Sequence, residues 1–164
     1  MGRDNKNFRG KREKPEFDQK LLDLARVTRV VKGGRRFRFR ATLVIGNKKS
    51  KVGVGVGKGA DVSDAIRKAF DDAKKNLVTI KMNKNTIAHD IYYKSRSAKI
   101  ILKPAMEGKG IIAGGSIRTV VEFAGIKDVV SKSLGCSNKL SVARATVEAL
   151  STLNQARTRK ERIA

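Results

Sequence analysis

Residues 30–60 read VVKGGRRFRFRATLVIGNKKSKVGVGVGKGA, and this stretch decides the fold of the first half of the chain. Lys32-Gly33-Gly34-Arg35 has the composition of a β-hairpin tip. In the strand that follows, side chains alternate between an apolar and a polar set. The apolar set is Phe37, Phe39, Ala41, Leu43 and Ile45, and the polar set is Arg36, Arg38, Arg40 and Thr42. We therefore expect the apolar face to enter a core and the arginines to point outward as a comb.

The next strand of the stretch alternates valine with glycine. Lys51-Val52-Gly53-Val54-Gly55-Val56 places the valines on one face and leaves the other face bare. Glycine in a strand interior is typical of a site where a ligand or another backbone approaches closely. We expect such an approach at Gly53 and Gly55.

Positive charge is concentrated in the same stretch. The 164 residues carry 38 Lys and Arg against 15 Asp and Glu, a formal charge of +23, yet residues 24–60 contain no acid. Like charges at close spacing repel unless an anion compensates them. The pattern predicts a polyanion ligand, and the charge alone leaves RNA, DNA, heparin and a membrane surface open.

The composition limits the class of protein. Hydrophobic residues make up 40% of the chain, which is enough for a core. The longest run of large aliphatic residues spans only 100–102, so no segment is predicted to span a bilayer, and the N-terminus lacks the apolar stretch of a signal peptide. No membrane partner is expected. A single cysteine, Cys136, fits a reducing cytosol. With one histidine and scattered carboxylates, neither a metal site nor a cofactor is expected.

The flanking segments complete the prediction of secondary structure. Residues 19–31 suit a helix in their first half and a strand in their second, and we favour the strand for the second half. A helix capped by Asp61 follows the glycine strand, with Val62, Ile66, Ala69, Phe70, Ala73 and Leu77 on its apolar face. Short strands at 77–80 and 86–87 flank a polar turn at 82–85, where we place a domain boundary.

The second half reads as strands followed by α-β-α. A strand at 99–103 precedes a loop at 107–110, and Gly114-Gly115-Ser116 leads into a helix that ends at Gly125. A strand at 126–132 and a last helix capped by Asn138 follow. The predicted fold is α+β: a flexible basic arm (1–16), a β-β-β-α domain (17–82), a small α+β domain (83–154) and a basic tail (155–164).

Two glycine clusters raise the alternative of a nucleotide-binding enzyme. Residues 55–60 match the G-x-G-x-x-A form of the dinucleotide fingerprint, but the following strand does not end in the required acid. Residues 107–116 resemble a phosphate-binding loop before a helix, although no base, nucleophile or metal-binding acids accompany them. Cys136 and His89 have no partner motif, and Tyr92-Tyr93 is a weak candidate for base stacking. We therefore predict no catalytic role, and keep the enzyme and a free-standing RNA chaperone as alternatives.

Several ordered motifs resemble the family of bacterial small-subunit ribosomal protein five. They are VVKGGRRF at 30–37, VGVGVGK at 52–58, LKPA at 102–105, EGKGIIAGG at 107–115 and RAT at 144–146. The resemblance implies an N-terminal domain like a double-stranded-RNA-binding fold and a C-terminal α+β domain of a fold shared with some kinases. It also implies binding to 16S ribosomal RNA, contact with small-subunit proteins four and eight, nearby messenger RNA, a cytoplasmic location in the ribosome, and a role in assembly and decoding accuracy near the messenger entrance.

The resemblance also assigns sites by matching position. Thr28, Arg29, Lys32, Gly33 and Gly34 are expected to form a hairpin loop that approaches RNA beside the spectinomycin pocket. Gly110 and Arg118 are expected to face protein four. No homo-oligomer is expected. The full predicted RNA-binding set is Arg26, Thr28, Arg29, Lys32, Gly33, Gly34, Arg35, Arg36, Arg38, Arg40, Lys51, Gly53, Gly55 and Lys58.

Overall fold

The computed structural model describes residues 16–153 as an α+β protein with two four-stranded sheets. The first half contains strands β1 (Asp18–Val31), β2 (Gly34–Gly46) and β3 (Lys51–Gly59), helix α1 (Val62–Lys75) and strand β4 (Val78–Thr79). The second half contains β5 (Ile91–Ser95), β6 (Ala98–Pro104), β7 (Ile111–Ile112), helix α2 (Gly115–Ala124), β8 (Val129–Leu134) and helix α3 (Lys139–Thr152). The predicted α+β class and the β-β-β-α order are confirmed. The predicted arm lies outside the described residues apart from Glu16, and the basic tail lies wholly outside them.

The first sheet is antiparallel in the order β1-β2-β3-β4. The hairpin at 32–35 is confirmed, since Val31 pairs with Gly34 across a two-residue turn and Gly34 has a φ of +131°. Strand β1 begins already at Asp18, so the first half of residues 19–31 is strand as well. Strand β3 reaches only as far as Phe39 of β2. Residues 27–38 therefore project beyond the sheet as a two-stranded ribbon, which we call the hairpin arm.

Helix α1 lies directly on the glycine face of β3. An added Cβ at Gly55 would stand 2.2 Å from the carbonyl oxygen of Ala69, and one at Gly57 would stand 2.2 Å from that of Ala65. Alanines four apart on a helix rise about 6 Å, and glycines two apart on a strand about 6.6 Å, so the two repeats stay in step. The backbones of helix and strand thus touch because neither side presents a large side chain.

The opposite face of the first sheet is covered by the second half of the chain. Val44, Val52 and Val54 share one buried cluster with residues of α2, α3 and the second sheet. That sheet has the order β5-β6-β8-β7, with β7 parallel to β8 and the other pairs antiparallel. The layers are therefore α1, the first sheet, the pair α2 and α3, and the second sheet.

The helix termini follow their sequence signals in part. The Asn138 side chain accepts a hydrogen bond from the amide of Leu140, and Gly125 ends α2 with a φ of +95°. Asp61 precedes α1 in extended conformation but makes no side-chain capping bond. Residues 86–87 form an isolated bridge at Thr86 rather than a strand.

Within residues 16–153 no helix is long and apolar enough to cross a membrane.

Candidate nucleic-acid interface

One face of the hairpin arm gathers predicted basic residues around a groove of about 300 Å³. The strand register brings Arg29 opposite Arg36 and Arg38 opposite Val27, while Lys58 of β3 stands opposite Arg40 at the base of the arm. The residues that line the groove are Val27, Thr28, Arg29, Val31, Arg36, Arg38 and Lys58. We call this set the arginine groove.

The charges of the arginine groove are uncompensated within the described chain. Among residues 16–153, no carboxylate lies within 4.0 Å of Arg29, Arg36, Arg38 or Lys58. Like charges directly opposite each other across a strand pair are destabilising, by up to about 1 kcal/mol. The arrangement is therefore suited to an anion with several charges that binds between the arginines.

The other face of the arm differs from the prediction. The guanidinium carbon of Arg26 lies 3.8 Å above the centre of the Phe37 ring, and 47% of Phe37 is exposed. Phe37 was expected in the core, but α1 covers the sheet only from Phe39 onward, and Phe39 itself is half-buried. Arg35 and Val30 pair on this same face near the tip, with Val30 76% exposed. The inference from alternation was wrong here because the strand extends past the layer that would bury it.

The arginine comb is also shorter than predicted. Arg40 is half-buried and lies 3.9 Å from the carboxylate of Asp23, which also accepts a hydrogen bond of 3.0 Å from Lys139. Thr42, expected on the outward face, is buried because the second half of the chain covers this part of the sheet. Arg36 and Arg38 remain exposed, so the comb ends at Arg38.

Lys51 lies apart from this cluster. It begins β3 and is exposed, but it lies seven positions before Lys58, which is roughly 23 Å along a strand. At the tip of the arm Lys32, Gly33 and Gly34 are exposed, and nothing lies within 4 Å of a Cβ added to either glycine. The structure therefore brings together the residues of the arm and Lys58 but not Lys51.

The interpretation of Gly53 and Gly55 as points of RNA approach is wrong. Both are buried, and a Cβ at Gly53 would lie 2.6 Å from the carbonyl oxygen of Ala73. The close neighbour expected from the glycines exists, but it is helix α1. The same packing removes the dinucleotide alternative at residues 55–60, because the space a pyrophosphate would need is filled by the helix.

The second glycine segment has a different geometry. Gly110 adopts a φ of +76°, and its amide donates a 2.8 Å hydrogen bond to the buried carboxylate of Asp128. The exposed guanidinium of Arg118 donates to the carbonyl of Ile111 at 3.3 Å. Gly110 directly precedes β7, and Arg118 of α2 bonds to the first residue of β7, so both predicted partner-facing residues adjoin this short strand.

The remaining candidates have structural environments. Cys136 and His89 are half-buried. The hydroxyl of Tyr93 donates to Glu148 over 3.4 Å, and burial together with this carboxylate raises the pKa of Tyr93 above 10.0. Tyr92 is 64% exposed. Residues 16–153 contain no group of three or more His, Cys, Asp or Glu side chains placed to hold a metal ion.

Comparison with known proteins confirms the resemblance seen in the motifs. Residues 17–81 match the sequence profile "Ribosomal protein S5, N-terminal domain", and residues 93–162 match "Ribosomal protein S5, C-terminal domain". The small ribosomal subunit protein uS5 of Campylobacter jejuni strains 81-176 and RM1221 is 56% identical over 143 residues. The alignment covers 87% of this chain and 97% of each relative. The chain therefore belongs to the ribosomal protein S5 family of the small ribosomal subunit.

Proposed function

We propose that this chain is a structural constituent of the small ribosomal subunit that binds 16S ribosomal RNA through its hairpin arm. The observation that carries the proposal is the arginine groove, which is lined by four exposed cations, none of them paired with a carboxylate of residues 16–153. Phosphates supply most of the affinity in protein–nucleic-acid binding, and guanidinium groups contact them by two parallel hydrogen bonds. A folded or double-stranded RNA segment brings phosphates from two strands to such a groove.

The arm supports this function by its shape. It projects from the sheet as an exposed ribbon, and two of its tip residues, Gly33 and Gly34, have no side chain. A narrow basic ribbon can enter a groove or cleft of folded RNA that the body of the protein cannot enter. We propose that Thr28 contributes within the arginine groove, that Arg26 and Arg35 contribute from the opposite face, and that Lys51 makes a separate contact.

Gly110 and Arg118 belong to a second proposed surface, facing small-subunit protein four. The positive φ of Gly110 and its bond to Asp128 fix the shape of the exposed loop beside Arg118. We further propose that the chain contacts small-subunit protein eight, lies near the messenger entrance, and supports subunit assembly and translational accuracy. We also propose that it has no catalytic role, acts in the cytoplasm, and has its domain boundary near residue 82. Arg118→Glu should weaken binding to purified protein four, whereas the equally exposed Arg144→Glu should not.

The RNA proposal is tested by charge reversal in the arginine groove. Arg36→Glu with Arg38→Glu should weaken binding to 16S RNA and lower the salt slope, log K against log salt, by about 1.8, since each duplex phosphate contact contributes about 0.9. Lys74→Glu with Lys75→Glu, in the last turn of α1, makes the same charge change away from the arm and serves as the matched control. Equal losses for both variants would show that only net charge matters and would refute the assignment to the arm.

Incorporation into the subunit is tested by sedimentation. The unaltered chain should co-migrate with small subunits at moderate salt, whereas a free-standing RNA chaperone would not. The arm variant should remain in the free fraction, with an unchanged circular dichroism spectrum. Unfolding of the arm variant would contradict the exposure of Arg36 and Arg38 on the arm.

A further inference from the structure

Within residues 16–153, one face of the second sheet is open to solvent. Helices α2 and α3 cover its other face, where Ile91, Ile100 and Leu102 are buried. The open face is identified by the strand register and comprises Tyr92, Lys94, Lys99, Ile101, Lys103, Ile112, Val130, Lys132 and Leu134. We call it the outer face. Its exposed apolar residues include Tyr92 at 64%, Ile112 at 49% and Leu134 at 39%.

The residues of the outer face lie in three rows across the strands, about 7 Å apart. The middle row is Tyr92, Ile101 and Lys132. One flanking row is Lys94, Lys99 and Leu134, and the other is Lys103, Val130 and Ile112. An aromatic ring thus stands beside an aliphatic strip, and ammonium groups frame both.

The charges on this face have one sign. Lys94 and Lys99 are directly opposite each other, which is unfavourable without a counterion. Within residues 16–153 no carboxylate pairs with Lys94, Lys99 or Lys132. Of the lysines on this face, only Lys103 has an acidic neighbour in the described part of the chain: its ammonium lies 3.9 Å from the carboxylate of Asp90, and both side chains are exposed. The outer face is therefore complementary to an anionic ligand with apolar surface.

We propose that the outer face is a second RNA-binding site that takes a single-stranded segment, with a base stacked on Tyr92 and phosphates held by Lys94 and Lys99. Bases are the apolar, flat part of such a ligand and phosphates its charged part, which matches an aromatic ring with lysines on the neighbouring strand positions. The acidic side chains of a peptide would pair with the lysines but offer no ring to stack on Tyr92. The outer face would add an RNA contact to the one proposed for the hairpin arm, and it can be tested separately from the arm.

The chain provides its own fluorescent probe for this test. It has no tryptophan and only two tyrosines, so Tyr93→Phe leaves Tyr92 as the single emitting tyrosine. We expect a short oligouridylate to quench the Tyr92 emission of this full-length variant to saturation. The quenching should persist when Arg36→Glu and Arg38→Glu are added, because the arm is a separate site.

Substitutions on the outer face measure its contribution to binding, followed as the anisotropy of labelled oligouridylate. In the arm-disabled background, Tyr92→Ala should weaken binding at least about 5-fold, and Tyr92→Phe should retain it, because stacking needs only the ring. Lys94→Ser with Lys99→Ser should lower the salt slope by about 1.4, since each single-strand phosphate contact contributes about 0.7. Lys74→Ser with Lys75→Ser is the matched control and should leave the slope unchanged.

Two results would overturn the inference without touching the proposed function. In the first, oligouridylate binds but leaves Tyr92 emission unchanged, and the Lys94 and Lys99 variant behaves like its control. In the second, polyglutamate quenches Tyr92 and oligouridylate does not, which would assign the face to an acidic protein. Loss of 16S RNA binding in the arm variant, with the Tyr92 emission of that variant still quenched by oligouridylate, would support both sites.

Discussion

Gly55→Ala should destabilise the protein by about 3 kcal/mol, because α1 occupies the position of the new methyl group. The added Cβ would lie 2.2 Å from the Ala69 carbonyl oxygen and 2.3 Å from the Ala73 amide nitrogen. Ordinary contact begins near 3.4 Å, so the helix backbone must move outward by about 1.2 Å. Both clashing groups belong to the backbone, which cannot rotate away as a side chain can. We therefore expect a cost at the upper end of the 1–3 kcal/mol typical of overpacked cores.

The matched control is Gly115→Ala, at the first position of α2. Nothing lies within 4 Å of its added Cβ, its φ is not positive, and alanine is the better helix former, so stability should hold or rise by up to about 1 kcal/mol. Urea denaturation of both variants gives the two changes in unfolding free energy. By heat, a loss of 3 kcal/mol corresponds to a midpoint lower by about 6–12 °C in a chain of this size.

The same pair of variants separates the two interpretations of the glycine strand. If Gly55 serves packing, the alanine variant loses stability, and once folded it binds RNA as before. A Gly55→Ala protein as stable as the Gly115→Ala protein but weaker in RNA binding would refute the packing argument and restore RNA approach at β3.

Three further outcomes follow from individual contacts. Asn47→Ala should lower the free energy of unfolding, measured by urea denaturation, by about 2 kcal/mol, because the side-chain Oδ1 of Asn47 accepts hydrogen bonds from three backbone N–H groups within 3.0 Å in the turn between β2 and β3. Asn47→Asp keeps the acceptor oxygen and should cost less. Arg29→Glu should stabilise the arm by up to about 1 kcal/mol, by placing a carboxylate opposite Arg36, while weakening RNA binding; a loss of stability would contradict the register. Because the pKa of Tyr93 is raised on folding, the folded state keeps the phenol protonated at a pH where the unfolded chain ionises. The free energy of unfolding should therefore hold its full Tyr93 contribution below pH 10.0 and fall as the pH rises above 10.0. Tyr93→Phe should decline less with pH over that range, and identical curves for the two proteins would contradict the burial of this hydroxyl.

The strands and helices were largely predictable because their signals are local. The hairpin tip at Gly33, the Asn138 cap and the Gly125 terminus each depend on neighbouring residues and were placed correctly. The errors concern what lies against each face, which alternation alone does not give. Residues 41–45 are apolar except for Thr42, and such a run is typical of a strand that is buried on both faces. The burial of Thr42 and Val44 beneath the second half of the chain was therefore indicated by the sequence.

The role of the glycines also had a signal that pattern reading missed. Glycines two apart in β3 and alanines four apart in α1 have matching repeat lengths, which favours backbone contact between these two elements over contact with a ligand. By contrast, the exposure of Phe37 follows only from the length of the sheet. Its apolar side chain continues the pattern of the core residues, and where α1 ends relative to the arm depends on tertiary structure.

The position of both proposed RNA sites follows from how the layers use the sheets. Helix α1 packs on one face of the first sheet and α2 with α3 pack on the other, and together they bury β2 from Ala41 onward and most of β3. Strands β1 and β2 lie outside this cover where they extend past β3. The five residues of β2 before Phe39 reach about 17 Å beyond the end of β3. The second sheet is covered on one face alone, so its outer face needs no extension to be accessible. Unpaired cations are tolerated on the hairpin arm and on the outer face because their charges stay hydrated until an anion displaces the water. Arg40 lies where the second half of the chain covers the sheet, and it has Asp23 beside it.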